Sequence, residues 1–274
     1  ASGKDALMDS AVNNSGMIQA NTLGEAKGQI SLTGDNIATT GTITADGGSN
    51  GHGGTIKIIA NHKTAVDGQL SAQGGQLAGD GGFIETSGDI VRIGDRSSIQ
   101  ANAPQGKAGQ WLIDPVDITI SDAGTDASEG GTNISTSYIT DTLGSGTSVT
   151  LDTHRDGYDG GRITVNGEIN VKSNHNSATL TLKANQAINI NKNITFTGEK
   201  APNLTLETTE ADSSINNGAN INIGNGTLNI TTGKNGVLNA GSIGADTVNI
   251  KTNTIKQAEG VTVSPLTIKN LNLH

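Results

Sequence analysis

Apolar residues in this chain fall in pairs two positions apart, separated and flanked by Ser, Thr, Asn and Gly. A period of two marks a strand that buries one side and wets the other. Through the first 120 residues two motifs organise this alternation, each returning every 25 to 29 residues. One reads Gly-x-Ile-x-Ala: Gly16-Met17-Ile18-Gln19-Ala20, Gly41-Thr42-Ile43-Thr44-Ala45, Gly68-Gln69-Leu70-Ser71-Ala72 and a degenerate Ser97-Ser98-Ile99-Gln100-Ala101. The other is Gly28-Gln29-Ile30-Ser31-Leu32, Gly54-Thr55-Ile56-Lys57-Ile58, Gly82-Phe83-Ile84-Glu85-Thr86 and Gly109-Gln110-Trp111-Leu112-Ile113. A third short strand lies between them, at Asn36-Ile37-Ala38, Thr64-Ala65-Val66 and Ile90-Val91-Arg92-Ile93. Interleaved strand motifs that keep step predict a solenoid with one coil per repeat. Parallel strands joined in succession cross over right-handedly in nearly all cases, so the expected fold is an all-β, right-handed parallel β-helix.

Two stretches break the rhythm. Residues 121–133 (SDAGTDASEGGTN) and 152–161 (DTHRDGYDGG) are rich in turn-formers and read as loops interrupting the coils. The chain therefore divides into regular coils over 1–120 and a continuation with irregular, shorter coils over 121–274. The second part carries its own ladder of inward pairs: Val149/Leu151, Leu180/Leu182, Leu204/Leu206, Leu228/Ile230, Val248/Ile250 and Leu266/Ile268. From Leu180 onward the steps are 24, 24, 20 and 18 residues, which predicts coils shortening toward the C-terminus. No window shows a convincing 3.6-residue period, so helix is expected to be nearly absent. About ten coils at roughly 4.8 Å per stacked strand make a rod on the order of 50 Å.

Composition agrees with a thin core. Glycine contributes 39 of 274 residues, roughly twice the usual share, while aromatics make up only 2%. Glycine suits corners where the backbone packs closely on the next coil, and a narrow interior takes Ile, Leu, Val and Ala rather than rings. The net charge is −9 without a cluster of Lys or Arg, which argues against nucleic acid and anionic membrane surfaces as partners. No apolar run is long enough to span a bilayer. The chain opens at Ala1-Ser2-Gly3 within a repeat, and is expected to be a piece of a longer protein.

The segment Gly81-Gly82-Phe83-Ile84-Glu85-Thr86-Ser87-Gly88, followed by Gly109-Gln110-Trp111-Leu112-Ile113-Asp114-Pro115-Val116-Asp117-Ile118-Thr119-Ile120, resembles the filamentous-haemagglutinin-like adhesins, the large exoproteins of bacterial two-partner secretion. Ala11-Val12-Asn13-Asn14-Ser15-Gly16-Met17-Ile18-Gln19-Ala20 is similar to their coils as well. The resemblance covers residues 6–120, with Trp111, Asp114 and Pro115 as its signature; beyond that only the Asn/Thr-rich style matches. It implies an internal segment of a rod at the bacterial cell surface or released outside it. Such a rod mediates attachment to host cells, other bacteria or extracellular matrix through a surface receptor, glycans included. Export of the full-length protein would use an outer-membrane two-partner transporter. The stem of a contact-dependent toxin is the alternative within the same resemblance.

The candidate chemistry is sparse. Trp111, the one tryptophan, reads as a plug of the coil interior, with Asp114-Pro115 turning the chain out of the strand, rather than as a sugar-stacking platform. A β-helical polysaccharide-processing enzyme needs carboxylates gathered in neighbouring coils. The outward column instead reads Ser31, Lys57, Glu85, Leu112 and then Thr181, Thr205, Asn229, Asn249, Thr267, so no catalytic residue is assigned. Lys57 beside Glu85 is an expected surface ion pair. Asp156, Tyr158 and Asp159 form a candidate ligand-contact loop, without the repetition that calcium-binding solenoids show. His52, His62, His154, His175 and His274 have no metal-ligand spacing, and neither metal nor cofactor is expected. An outward Thr/Asn array also suits an ice-binding face, but Glu207, Lys251 and Lys269 flank this one with charge.

Overall fold

A computed structural model describes residues 11–21, 26–122, 131–154, 160–174, 178–258 and 267–274. It is a parallel β-solenoid of about nine turns. Every strand pairing is parallel, and each coil lays strands on three faces in turn. The first face stacks the Gly28-type motif and its continuation, among them Phe83–Ser87, Gln110–Asp114, Ser148–Asp152, Thr179–Ala184, Asn203–Thr208 and Thr227–Thr231. The second face begins with the short strand between the motifs and continues through Ile118–Ser121, Arg162–Val165, Ala187–Ile190, Ser214–Asn217 and Val237–Ala240. The third face starts with the Gly-x-Ile-x-Ala strands Met17–Gln19, Thr42–Thr44, Gln69–Ser71 and Ser98–Gln100. It resumes at Ile169–Lys172, Ile194–Thr197 and Asn220–Asn222.

The inward columns are continuous. On the first face Ile56, Ile84, Trp111, Val149, Leu180, Leu204, Leu228 and Val248 stand one above another in register, all fully buried. Each coil thus buries a few aliphatic side chains against the coils on either side, and the stack as a whole makes one core. Close approach at the corner explains why the two motifs interleave. The amides of Gly54, Gly82 and Gly109 donate to the carbonyls of Ala45, Ala72 and Ala101 at 2.6, 2.7 and 2.9 Å, closing each coil. A Cβ on Gly82 would lie 2.1 Å from the carbonyl oxygen of Gly54, so only glycine lets the coils stack there.

Two expectations change. The last rung of the first face is not Leu266/Ile268: Leu266 lies outside the described residues, and Ile268 pairs with Ala245 on the third face. Leu271 and Leu273 take the places opposite Val248 and Ile250, so that step is 23 residues rather than 18 and the coil does not shorten there. The outward residue of that rung is accordingly Asn272, opposite Asn249, and not Thr267. Helix is as scarce as expected: among the described residues there is one, α1 at Thr136–Gly144. Finally, Thr132 and Asn133 do not belong to a loop but open the strand Thr132–Ser135.

Candidate binding surface at the helical interruption

The coil that begins with Gln110–Asp114 is built differently from the others. Here Ile118–Ser121 is paired in parallel with a further strand, Thr132–Ser135. This extra strand lies between 118–121 and the preceding strand Ile90–Ile93, where the Thr132 hydroxyl accepts the amide of Val91 at 2.9 Å. Helix α1 follows at once and fills the third face between Ser98–Gln100 and Ile169–Lys172. A helix is about 10 Å across, whereas a strand occupies about 4.8 Å. The extra strand supplies the matching additional rung on the neighbouring face.

Local chemistry sets both ends of α1. Ser135 is its N-cap, with extended backbone and a hydroxyl that accepts the amide of Ser137 at 3.3 Å. At the other end Ser145 N–H reaches Asp141 O at 2.9 Å, and Gly146 takes φ 91°, which favours glycine. Ile139 and Leu143, one turn apart, are fully buried and continue the aliphatic core through the helix. The exit is bolted to the regular coils. In earlier repeats the motif alanine donates to the carbonyl of the next coil, as Ala72 does to Gln100 at 2.8 Å. Ala101 has no such strand beside it and donates instead to the buried Thr147 hydroxyl at 3.0 Å.

Between α1 and Ser98–Gln100 runs a groove of about 350 Å³. Ser98, Gln100, Asp95, Tyr138 and Asp141 are among its lining residues. Tyr138 donates to Asp95 Oδ1 at 3.3 Å, and its half-buried ring forms part of the wall. Burial raises the Tyr138 phenol above its ordinary pKa, and the negative charges and hydrogen bond of Asp95, with the charge of Asp67, add to the effect. Asp67 in turn accepts the Arg96 backbone amide and Nε–H, both at 3.0 Å. Those hydrogen bonds hold its carboxyl below the usual range and raise Arg96. The groove therefore joins an aromatic wall to neutral and acidic hydrogen-bonding groups, all on a rigid frame.

The residues singled out in the sequence are dispersed. Trp111 is fully buried, and its indole N–H donates to the Thr86 hydroxyl at 3.1 Å, so the ring is a core element. Asp114 ends its strand and accepts the amide of Gly88 through its backbone carbonyl at 3.2 Å, with Pro115 next in the chain. Asp156, Tyr158 and Asp159 lie outside the described residues. Lys57 and Glu85 form an ion pair at 3.0 Å, with Lys57 also 5.7 Å from the centre of the Phe83 ring. His52 and His62 each face an aspartate of the next coil, Asp80 and Asp89, at 3.6 and 3.3 Å. Among the described residues no group of three or more His, Cys, Asp or Glu is placed to hold a metal ion. Of the groove residues, Ser98 and Gln100 belong to the last Gly-x-Ile-x-Ala copy, while Asp95, Tyr138 and Asp141 carry no motif in the sequence. The available signal was the Ser135 cap followed by Ile139 and Leu143 four apart. No family model matches this chain, and no curated protein does.

Proposed function

We propose that this chain is a rod segment of a secreted bacterial adhesin of the filamentous-haemagglutinin-like kind, with the groove beside α1 as its contact surface. The observation that carries the reading is the character of the outward columns. In register on the first face stand Lys57, Glu85, Leu112, Thr150, Thr181, Thr205, Asn229, Asn249 and Asn272, without a pair of neighbouring carboxylates. Amides there bond to one another from coil to coil, Asn249 to Asn229 at 2.8 Å and Asn272 to Asn249 at 2.7 Å. The second face repeats this with Asn216 to Asn189 at 2.8 Å and Asn239 to Asn216 at 2.6 Å. These groups spend their hydrogen bonds on stiffening the stack, which suits a spacer better than a reaction site. The Trp111-Leu112-Ile113-Asp114-Pro115 resemblance supports the same reading.

The test is attachment. Beads coated with the chain are expected to adhere to epithelial cells or to bacteria, and a Tyr138→Ala, Gln100→Ala double variant with unchanged circular dichroism to adhere less. Absence of adhesion by the unaltered chain to cells, bacteria and matrix proteins alike would remove the adhesive reading. Undiminished adhesion of the variant would remove the groove from it.

A further inference from the structure

A second recess lies away from α1, on the third face near the C-terminal end, and its floor is a glycine that the fold does not require. The outward column there runs Asn170, Thr195, Asn222 and Gly244, with Thr267 of the last strand next in register. At corners such as Gly82 an added Cβ would collide with backbone, but at Gly244 its nearest neighbours would be Asn222 Oδ1 at 3.3 Å, Cγ at 3.6 Å and Cα at 3.9 Å, with no positive φ to favour glycine. Asn222 is exposed and can yield. Glycine inside a strand weakens it and often marks close approach of another group. Over Gly244 lies a recess of about 570 Å³ rimmed by Asn193, Thr195, Asn220, Asn222, Ser242 and Asp246. That volume is in the range of small-ligand sites.

The rim is already oriented. Asn193 Oδ1 accepts the amide of Asn220 at 3.0 Å, and Asn222 Oδ1 accepts that of Gly224 at 3.3 Å. Both carboxamides are thereby held by their oxygens, and among the described residues neither Nδ2 has a protein acceptor. Ser242 and Thr195 add hydroxyls that can donate or accept. Asp246 is paired with Lys269 Nζ at 2.7 Å, so the recess offers no unbalanced charge from that pair. The net charge of −9 disfavours an anionic ligand. Ile221 and Ile243 are buried beneath the surface.

We infer that the Gly244 recess binds a neutral sugar ring, whose hydroxyls both donate and accept and match this rim. The inference rests on the adhesive reading only for its biological sense; the site is distinct from the α1 groove. The 274-residue chain is applied to an array of neutral, sialylated and sulfated oligosaccharides, and the strongest neutral ligand is then titrated against variants. Gly244→Thr, which continues the column, is expected to weaken binding roughly tenfold or more without lowering the melting temperature. Asn222→Ala, a truncation on the surface, is expected to weaken it as well. Neutral-sugar binding that survives both Gly244→Thr and Asn222→Ala overturns the inference. So does a chain that binds only charged glycans or none. If that chain still adheres to cells, the adhesive reading stands and this site alone is lost.

Discussion

Hydroxyl and amide side chains do much of the backbone's work in this protein wherever a coil departs from its neighbours. Thr132 and Thr147 satisfy the amides of Val91 and Ala101 at the two places where the regular coils meet the irregular one. Leaving either amide buried and unpaired would cost on the order of 1–3 kcal/mol. Thr86 does the same for the Trp111 indole, so a single aromatic ring fits a core otherwise made of aliphatics. Tyr138 yields a prediction at this scale. Its phenol is raised in the folded chain, so it stays protonated where the unfolded chain already ionises. The stability it contributes is complete below the unfolded value of about 10 and is lost as pH climbs through the folded value. Ultraviolet titration of the chain, whose only other tyrosine is Tyr158, is expected to show a phenol ionising above the ordinary range. Tyr138→Phe should abolish that component and flatten the alkaline loss of stability; a titration of the unaltered chain with both phenols at the ordinary value would refute the burial of this ring.

At the scale of elements, α1 replaces a strand without breaking the core. It is nine residues long and contains Thr136, Thr140, Thr142, Tyr138 and Ile139, all modest helix formers. Such a peptide would not be helical alone, and packing of Ile139 and Leu143 must supply what propensity does not. Its cap should therefore matter. Ser135→Ala is expected to destabilise the chain by about 1 kcal/mol, with hydrogen exchange accelerated in 136–144 and little changed in 179–184. Uniform acceleration in both segments would mean that α1 opens only with the whole stack. The same features explain why the helix is not legible in the sequence. Two apolar residues one turn apart are too few to define a 3.6-residue period against a background alternating at two. By contrast the strand Thr132–Ser135 has an ordinary strand pattern, and it was hidden only by the turn-rich residues around it.

For the whole molecule, energy is shared mainly between adjacent coils. Leu182 and Leu206 stand in register on neighbouring strands, whereas Ile58 belongs to a coil far down the stack. Replacing each by Ala is expected to cost about 2–5 kcal/mol. The Leu182/Leu206 double variant should deviate from additivity by at least about 0.5 kcal/mol, and the Ile58/Leu206 pair should be additive within that margin. Comparable coupling in both pairs, measured by denaturant unfolding, would rule out a nearest-neighbour stack. Much of the solenoid could be read from the residues: the inward pairs and the glycine and alanine corners recur because each coil must repeat one solution to the same burial problem. A repeat also makes errors possible. Leu266/Ile268 and Leu271/Leu273 are equally good inward pairs, and the choice between them depended on how Thr267–Leu273 pairs with Ser242–Lys251 across two faces. The groove beside α1 and the recess at Gly244 belong to that second class. Each is made by residues from separate coils whose neighbourhood arises only when the coils stack, so alternation along the chain carries the rod but not the surfaces it presents.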